Sequence, residues 1–557
     1  MKRQAVCNII FLFFISLLLS YAPSAQETRR SRIVVTPTPS QTPTPSKIQS
    51  PSPTPTPPST PIPSQTPISE VARKPLEPIK SLSELQDKIR QILSQPSLRR
   101  CRIGIKIVSL DTGKVVFDED SDKYFMPASN MKNFTVATAL EKLTPDFRFV
   151  TSVYATSAPD KDGIIKGDLI IFGRGDPTIS FGINPEDDVK GMERLVEKIV
   201  AAGVKKIEGN LIGDESYFSS SPIPYTWEWD DLQWYYGAQV SALSINDNAA
   251  KVVIKPSSKA NEKASVQIIP PESGFALINE VNTAEGNSRE IGIKRSLGTN
   301  LLEVSGFIGR SAKPFETYVA LPNPALTFVS ILRLLLEQKG IVITGKTETV
   351  NSDYRKKNPL PVGLIEIAKL ESPPLKLIAQ KTMKPSQNLY TELMLRAMGE
   401  ALGELKDPKR NSLDKGIAVV DKFLQEIGVP SGSVLMYDGS GLSRHNLVTP
   451  EATVQLYSFM KKSRFADAWY ESLTIAGTDG TLKERFKGTL AEKNVRGKTG
   501  TINQVSALSG YVNTLSGEKF VFSIIINNLP EQSLRVSTID EIVLLLANFA
   551  GKTDERN

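Results

Sequence analysis

The chain has 557 residues, 40% of them hydrophobic and 23% charged, with a formal net charge of +7. That is an ordinary globular composition, and its length suggests several domains rather than one. The basic excess is interspersed with Asp and Glu and forms no dense Lys/Arg block, which argues against nucleic acid as a partner.

Lys2 and Arg3 precede an apolar stretch from Ile9 to Leu19, followed by small residues around Ala22–Ala25. This is the pattern of a secretory signal peptide, expected over 1–25 with cleavage near Ser24 or Ala25. The competing reading is an uncleaved anchor, since Pro23 blurs the cleavage site, but the apolar run is short of the ~20 residues a membrane span needs. The expected destination is export to the periplasm or cell envelope. Of the two cysteines, Cys7 leaves with the leader. Cys101 is then alone, so the mature chain cannot form an internal disulfide, and Cys101 reads as a structural residue at the start of a strand.

Residues 34–68 alternate proline with Thr and Ser and contain no aromatic residue. Such a stretch cannot bury a core, so 26–74 is expected to be a disordered, extended, polyproline-like tether. Globular sequence begins near Pro75. Ser81–Ser94 has helical spacing, with Ser81 as N-cap and Glu84 three residues on. "CRIGIKIVSL", "DTGK" and "VVF" then read as a β-hairpin, and an apolar helix begins near Ser129.

The middle of the chain, about 150–350, is richer in β patterns and Gly/Pro turns. It repeats one unit: "LVEKIVAAGVKKIEGNLIGD" at 195–214 and "ILRLLLEQKGIVITGKTE" at 331–348 both read helix, glycine, short strand, glycine. Two copies flanking Ala250–Ala312 suggest an inserted domain that itself carries an insertion. Toward the C-terminus, "VSALSGYVNT", "LSGE" and "KFVFSIIINN" form a second hairpin, and a last helix is expected over Leu534–Phe549.

Ser129 and Lys132, in "PASNMKNFTVATAL", are spaced i and i+3 and so share one helix face. A serine hydroxyl is a poor nucleophile until a base takes its proton. A lysine is that base only when neutral, and lowering its pKa from about 10.4 to near 7 takes roughly 4–5 kcal/mol. Burial and neighbouring cations supply such a shift. The S-x-x-K pattern alone is weak, since Ser412/Lys415, Ser458/Lys461 and Ser516/Lys519 repeat it. Order and company single out Ser129: Ser386-x-Asn388 precedes a second apolar helix, and Lys498-Thr499-Gly500 comes immediately before a strand.

This ordered trio resembles the active site of the serine penicillin-binding proteins and β-lactamases. "GDLIIFGRGDPTIS", "YYGAQVSALSINDN", "YDGSGLSRHNLVTP" and "GTDGTLKERF" narrow the resemblance to the low-molecular-mass, class C D-alanyl-D-alanine carboxypeptidase/endopeptidase family, over about 80–550. The long stretch between Lys132 and Ser386 is similar to that family, which inserts two extra domains there. The resemblance implies an α/β fold: a β-lactamase/transpeptidase-like domain, an antiparallel sheet with helices, carrying two smaller β-rich insertions. Its expected segments are 75–149 and 351–557, with inserted domains at 150–249 plus 313–350 and at 250–312.

The resemblance also implies roles. Ser129 would attack a D-Ala-D-Ala carbonyl and form an acyl-enzyme, with Lys132 as base and Ser386 relaying a proton toward the leaving amine. Asn388 would bind a substrate amide. Lys498, Thr499 and Thr501, with Gly500 between them, would hold the substrate's terminal carboxylate or its neighbourhood, and the N–H groups of Ser129 and Thr501 would form the oxyanion hole. The expected partners are peptidoglycan stem peptides ending in D-Ala-D-Ala, with β-lactams as covalent inhibitors. No metal, cofactor or obligate protein partner is expected. A serine β-lactamase, and a non-catalytic wall-binding protein on the same fold, are the alternatives.

Other landmarks read as scaffold. Asp176 and Pro177 make a turn, Asp438, Ser440 and Gly441 support the site, and the aromatic cluster "YTWEWDDLQWYY" packs a domain junction rather than stacking on sugars. His445 is the single histidine and lacks a nucleophile-elbow partner for a triad. A zinc peptidase usually wants two or three.

Overall fold

Strands from opposite ends of the chain share one sheet. A computed structural model describes residues 77–180, 191–403 and 410–554, all within one compact unit. The leader expected at 1–25, with Cys7, and the tether expected at 26–74 lie outside the described residues.

The six strands of the sheet are β1 (Arg102–Ser109), β2 (Val115–Glu119), β3 (Thr474–Ile475), β4 (Arg496–Ile502), β5 (Val505–Asn513) and β6 (Lys519–Asn527). They lie in the order β3-β4-β5-β6-β1-β2, and every pairing is antiparallel. The hairpins read around "DTGK" and "LSGE" are β1–β2 and β5–β6. Each turn carries a glycine in the left-handed region, Gly113 at φ 75° and Gly517 at φ 81°, where a side chain would be strained. Between the hairpins, β1 pairs with β6 from Arg102↔Asn527 to Ser109↔Phe520.

β6 is apolar on both faces because helices cover both. Phe520, Phe522, Ile524 and Ile526 join the core of helices α1 (Leu82–Leu93) and α4 (Gln532–Ala547). Val521 and Ile525 point the other way, into the core of helices α2 (Met131–Lys142) and α3 (Asn388–Leu402). This is the two-residue alternation of a strand. Burying one such side chain is worth roughly 1.5–3 kcal/mol, which explains a strand with no polar stripe. α1 starts as expected, with Ser81 Oγ accepting from Glu84 N at 3.2 Å.

The two copies of the repeated unit pair with each other. Lys206–Ile207 runs parallel to Val342–Ile343, and Leu211–Asp214 runs parallel to Thr347–Val350. The register offset is the same in both pairings, so the units match residue for residue. Their helices, Gly191–Ala201 and Pro324–Gln338, pack against the strands in a second core. Between the copies lie two three-stranded sheets, built from strands within 249–320. The architecture is thus a transpeptidase-like layer of sheet and helices interrupted by β-rich insertions.

Candidate active site

Ser129 sits in a 3-10 turn, Ala128–Asn130, that leads directly into α2. α2 is buried from Met131 to Leu140, so the polar side chains of its first turn are carried into the interior. The turn is clamped on two sides. A Cβ on Gly500 of β4 would lie 2.6 Å from Pro127 O, and one on Gly441 would lie 1.8 Å from Ala128 O. Asn130, fully buried, donates to Lys498 O at 3.0 Å and accepts from Ser509 Oγ at 2.6 Å, which ties the turn to the sheet.

Lys132 has no exposed surface. Its Nζ lies 2.9 Å from Ser129 Oγ, 2.6 Å from Asn388 Oδ1 and 2.7 Å from Ser440 O. Burial pulls its pKa down to about 7, against the opposing attraction of Asp438 and Glu392. Lys498 is equally buried; its Nζ donates to Ser386 Oγ and to Thr499 O, both at 2.8 Å. Burial, and then the charge of Lys132, drive Lys498 well below the usual lysine range. Two ammonium groups buried side by side oppose each other's protonation.

Ser386 adopts φ 67°, an uncommon conformation for a non-glycine residue. Asn388 begins α3, and its Nδ2 donates to Tyr236 O at 2.9 Å. An amide nitrogen carries two N–H groups, so this bond commits only one of them. On β4, Thr499 Oγ1 lies 2.6 Å from Thr481 Oγ1, and Thr501 is exposed.

Behind Lys132 lies a buried charge network. Asp438 accepts from the backbone N–H of Gly441 and Ser443 at 2.8 and 2.7 Å, from Asn446 Nδ2 at 2.7 Å and from Trp227 Nε1 at 2.8 Å. Glu392 accepts from the N–H groups of Gly439 and Ser440 at 2.8 and 2.9 Å and pairs with Arg396 at 2.8 Å. Burial and the neighbouring Asp438 push the Glu392 carboxyl up, against the pull of Arg396. Together these groups fix the loop whose Ser440 carbonyl faces Lys132.

A model of the D-Ala-D-Ala carboxypeptidase 3 (S13) family matches residues 85–549. The chain belongs to that family. It is 33% identical to the D-alanyl-D-alanine carboxypeptidase of Actinomadura sp. (strain R39) over 484 residues, covering 84% of this chain and 86% of that one. It is 28% identical to the D-alanyl-D-alanine carboxypeptidase DacB of Haemophilus influenzae over 454 residues, 80% of this chain and 89% of that one. The crystal structure of penicillin binding protein 4 (dacB) from Haemophilus influenzae has the same fold, with a TM-score of 0.69 at 24% identity over 83% of this chain and 99% of that one. Membership makes the chain a serine-type peptidase, a hydrolase.

The fold of this family member brings Ser129, Lys132, Ser386, Asn388, Lys498 and Thr499 together beside β4. Asn388, expected to bind a substrate amide, also holds Lys132. His445 lies with its ring against Tyr437, centroids 5.4 Å apart. Asp176 accepts from Thr178 N at 2.8 Å, as a turn residue does. Cys101 Sγ donates to Leu98 O at 3.0 Å. The aromatic cluster divides: Trp227 is buried on Asp438, as a junction residue would be, whereas Tyr225 and Trp229 are 83% and 71% exposed. Beside them, Glu228 pairs with Arg444 at 2.9 Å. Burial, then Asp230 and Glu228, push Asp231 up to about 6.

Sequence reading missed Asn130, Glu392, Arg396 and Thr481. Only the Glu392/Arg396 pair left a trace, as opposite charges i and i+4 inside the apolar run of α3. Among the described residues no helix is long and apolar enough to cross a membrane.

Proposed function

We propose that this chain is an exported carboxypeptidase that removes the terminal D-alanine of peptidoglycan stem peptides through an acyl-enzyme on Ser129. The observation that carries the reading is the set of contacts around Lys132. An ammonium has three N–H donors, whereas a neutral amine has two and a lone pair. Asn388 Oδ1 and Ser440 O take two donors at 2.6 and 2.7 Å. In the neutral form favoured by burial, the lone pair then faces Ser129 Oγ at 2.9 Å.

Ser129 Oγ attacks the carbonyl carbon of the D-Ala-D-Ala bond while Lys132 takes its proton. The negative charge formed on the carbonyl oxygen is met by the N–H groups of Ser129 and Thr501, and one such donor is worth about 10²–10³ in rate. Collapse breaks the C–N bond, and Ser386, held by Lys498, relays the proton taken up by Lys132 to the departing amine, which leaves Lys132 neutral again. Lys498, Thr499 and Thr501 hold the terminal carboxylate, and Gly500 lets β4 approach the nucleophile's turn. Water then hydrolyses the ester and regenerates Ser129. A β-lactam acylates the same oxygen by ring opening and has no departing amine to make way for water. The same chemistry cuts cross-bridges between a D-alanine carbonyl and a neighbouring stem. In this reading the catalytic segments are 75–149 and 351–557, with inserted domains at 150–249 plus 313–350 and at 250–312.

The test is to incubate purified protein with disaccharide-pentapeptide and with cross-linked dimers and identify the products by mass. Loss of one alanine, abolished by Ser129→Ala, is the expected result. Full turnover by Ser129→Ala would end the proposal.

A further inference from the structure

The turn that carries Ser386 is held from outside its own domain. Gln387, between Ser386 and Asn388, donates from Nε2 to Asp247 Oδ2 at 2.9 Å. Its Oε1 accepts from Leu389 N at 3.4 Å, and its backbone N–H donates to Thr382 O at 2.9 Å. The next residue, Asn388, donates to Tyr236 O. Two contacts thus run from the inserted region to two adjacent residues of the catalytic turn.

Asp247 stands in an unusual backbone. Asn246, Asp247 and Asn248 have φ of 52°, 56° and 53°. Single left-handed Asn or Asp residues are tolerated, but a run of three is costly and persists only where its surroundings impose it. Here they do. Asn246 N donates to Ile179 O at 3.0 Å and Leu321 N donates to Asn248 O at 2.9 Å. Asn248 Oδ1 accepts from Ile245 N at 3.0 Å, and its Nδ2 donates to Gln239 O at 2.7 Å. A strained turn fixed on both flanks therefore presents its middle carboxylate to the residue beside Ser386.

We propose that Asp247 is a positioning residue for the reaction at Ser129. Through Gln387 it holds Ser386 in its left-handed conformation, which keeps Ser386 Oγ on Lys498 Nζ. In this role Asp247 acts on the reaction only through Gln387. The inference rests on the function proposed above, and it makes the inserted region part of the catalytic machinery.

The test is the rate of acylation by fluorescent penicillin, alongside kcat and KM for release of D-alanine from a pentapeptide. Asp247→Gly keeps the left-handed backbone and removes the carboxylate; Asp247→Asn keeps an acceptor; Gln387→Met cuts the link from its other end. Asp247→Gly and Gln387→Met are each expected to slow acylation by about tenfold to a hundredfold, the cost of a misplacement of ~1 Å. The loss should fall on kcat, with KM within about threefold of wild type. The double variant should be no slower than the slower single one, because both cut the same link, and Asp247→Asn should recover most of the rate. Acylation of Asp247→Gly or Gln387→Met at the wild-type rate overturns the proposal; where Asp247→Gly folds poorly, Gln387→Met decides. The two readings fail separately. A wild-type protein that takes no label at Ser129 removes the proposed function, whereas a labelled wild type with unimpaired variants removes only the role of Asp247.

Discussion

A Cβ on Gly441 would lie 1.8 Å from the carbonyl oxygen of Ala128, so the loop that carries Gly441 is in backbone contact with the turn that carries Ser129. Gly441 is at φ 84° and Ala128 at φ 47°; each needs the other's place kept clear. Gly441→Ala should displace Ser129 and lower acylation by about a hundredfold or more. The left-handed alanine adds roughly 1–3 kcal/mol of strain, visible in a denaturant titration. Wild-type labelling by this variant would mean that the contact does not hold the turn.

Lys132 in its proposed role as base sets a pH dependence. Lys132 titrates at about 7 rather than 10.5 because it is buried, so acylation should rise between pH 5.5 and 8 with a midpoint near 7 and then level off. A flat profile over that range would exclude Lys132 as the base. Stability follows the same group. Between the folded and unfolded values the unfolded chain binds the extra proton, so stability rises with pH across that window. The contribution is fully present above the unfolded value and is lost as pH falls through about 7. Lys132→Met should abolish acylation, and wild type should gain stability relative to it from pH 6 to pH 9.

Arg396 and Glu392 form an ion pair with side chains 1% and 0% exposed. Removing one partner leaves an uncompensated buried charge, which costs about 3–5 kcal/mol. Arg396→Met should lose stability on that scale in chemical denaturation. It should also slow acylation, since Glu392 anchors the N–H groups of Gly439 and Ser440.

Cys101 offers a check of the opposite kind. Burial raises its thiol pKa, so it should react slowly with a thiol reagent at pH 7. Cys101→Ala should acylate at the wild-type rate, and a clear loss would point to a role that its contact with Leu98 does not suggest.

Much of the candidate site was legible because each of its motifs is local in sequence. Ser129 and Lys132 meet through one helical turn, and Lys498-Thr499-Gly500 needs only a strand edge. The hairpins were legible from alternation and turn residues, and the repeated unit from its glycines. What stayed hidden depends on contacts between distant segments. Nothing near Asp438 indicates that Trp227 will donate to it, or that Thr481 will meet Thr499. Ser386 gives no sign of a positive φ, because the surroundings impose it rather than the residue. The aromatic cluster showed the limit of composition: Trp227 is buried while its neighbours at 225 and 229 face outward, and no alternation rule says which faces the protein.

The central pairing of β1 with β6 joins strands from opposite ends of the described residues. A ribosome therefore releases β1 and β2 long before the strand that will lie beside them exists. Until then Ile103–Val108 offers an open edge on which another chain could template, and contacts so distant in sequence form slowly. A nascent N-terminal segment should therefore be prone to pair with its neighbours until the last hairpin emerges. A truncation before residue 519 should yield aggregate rather than a smaller working enzyme.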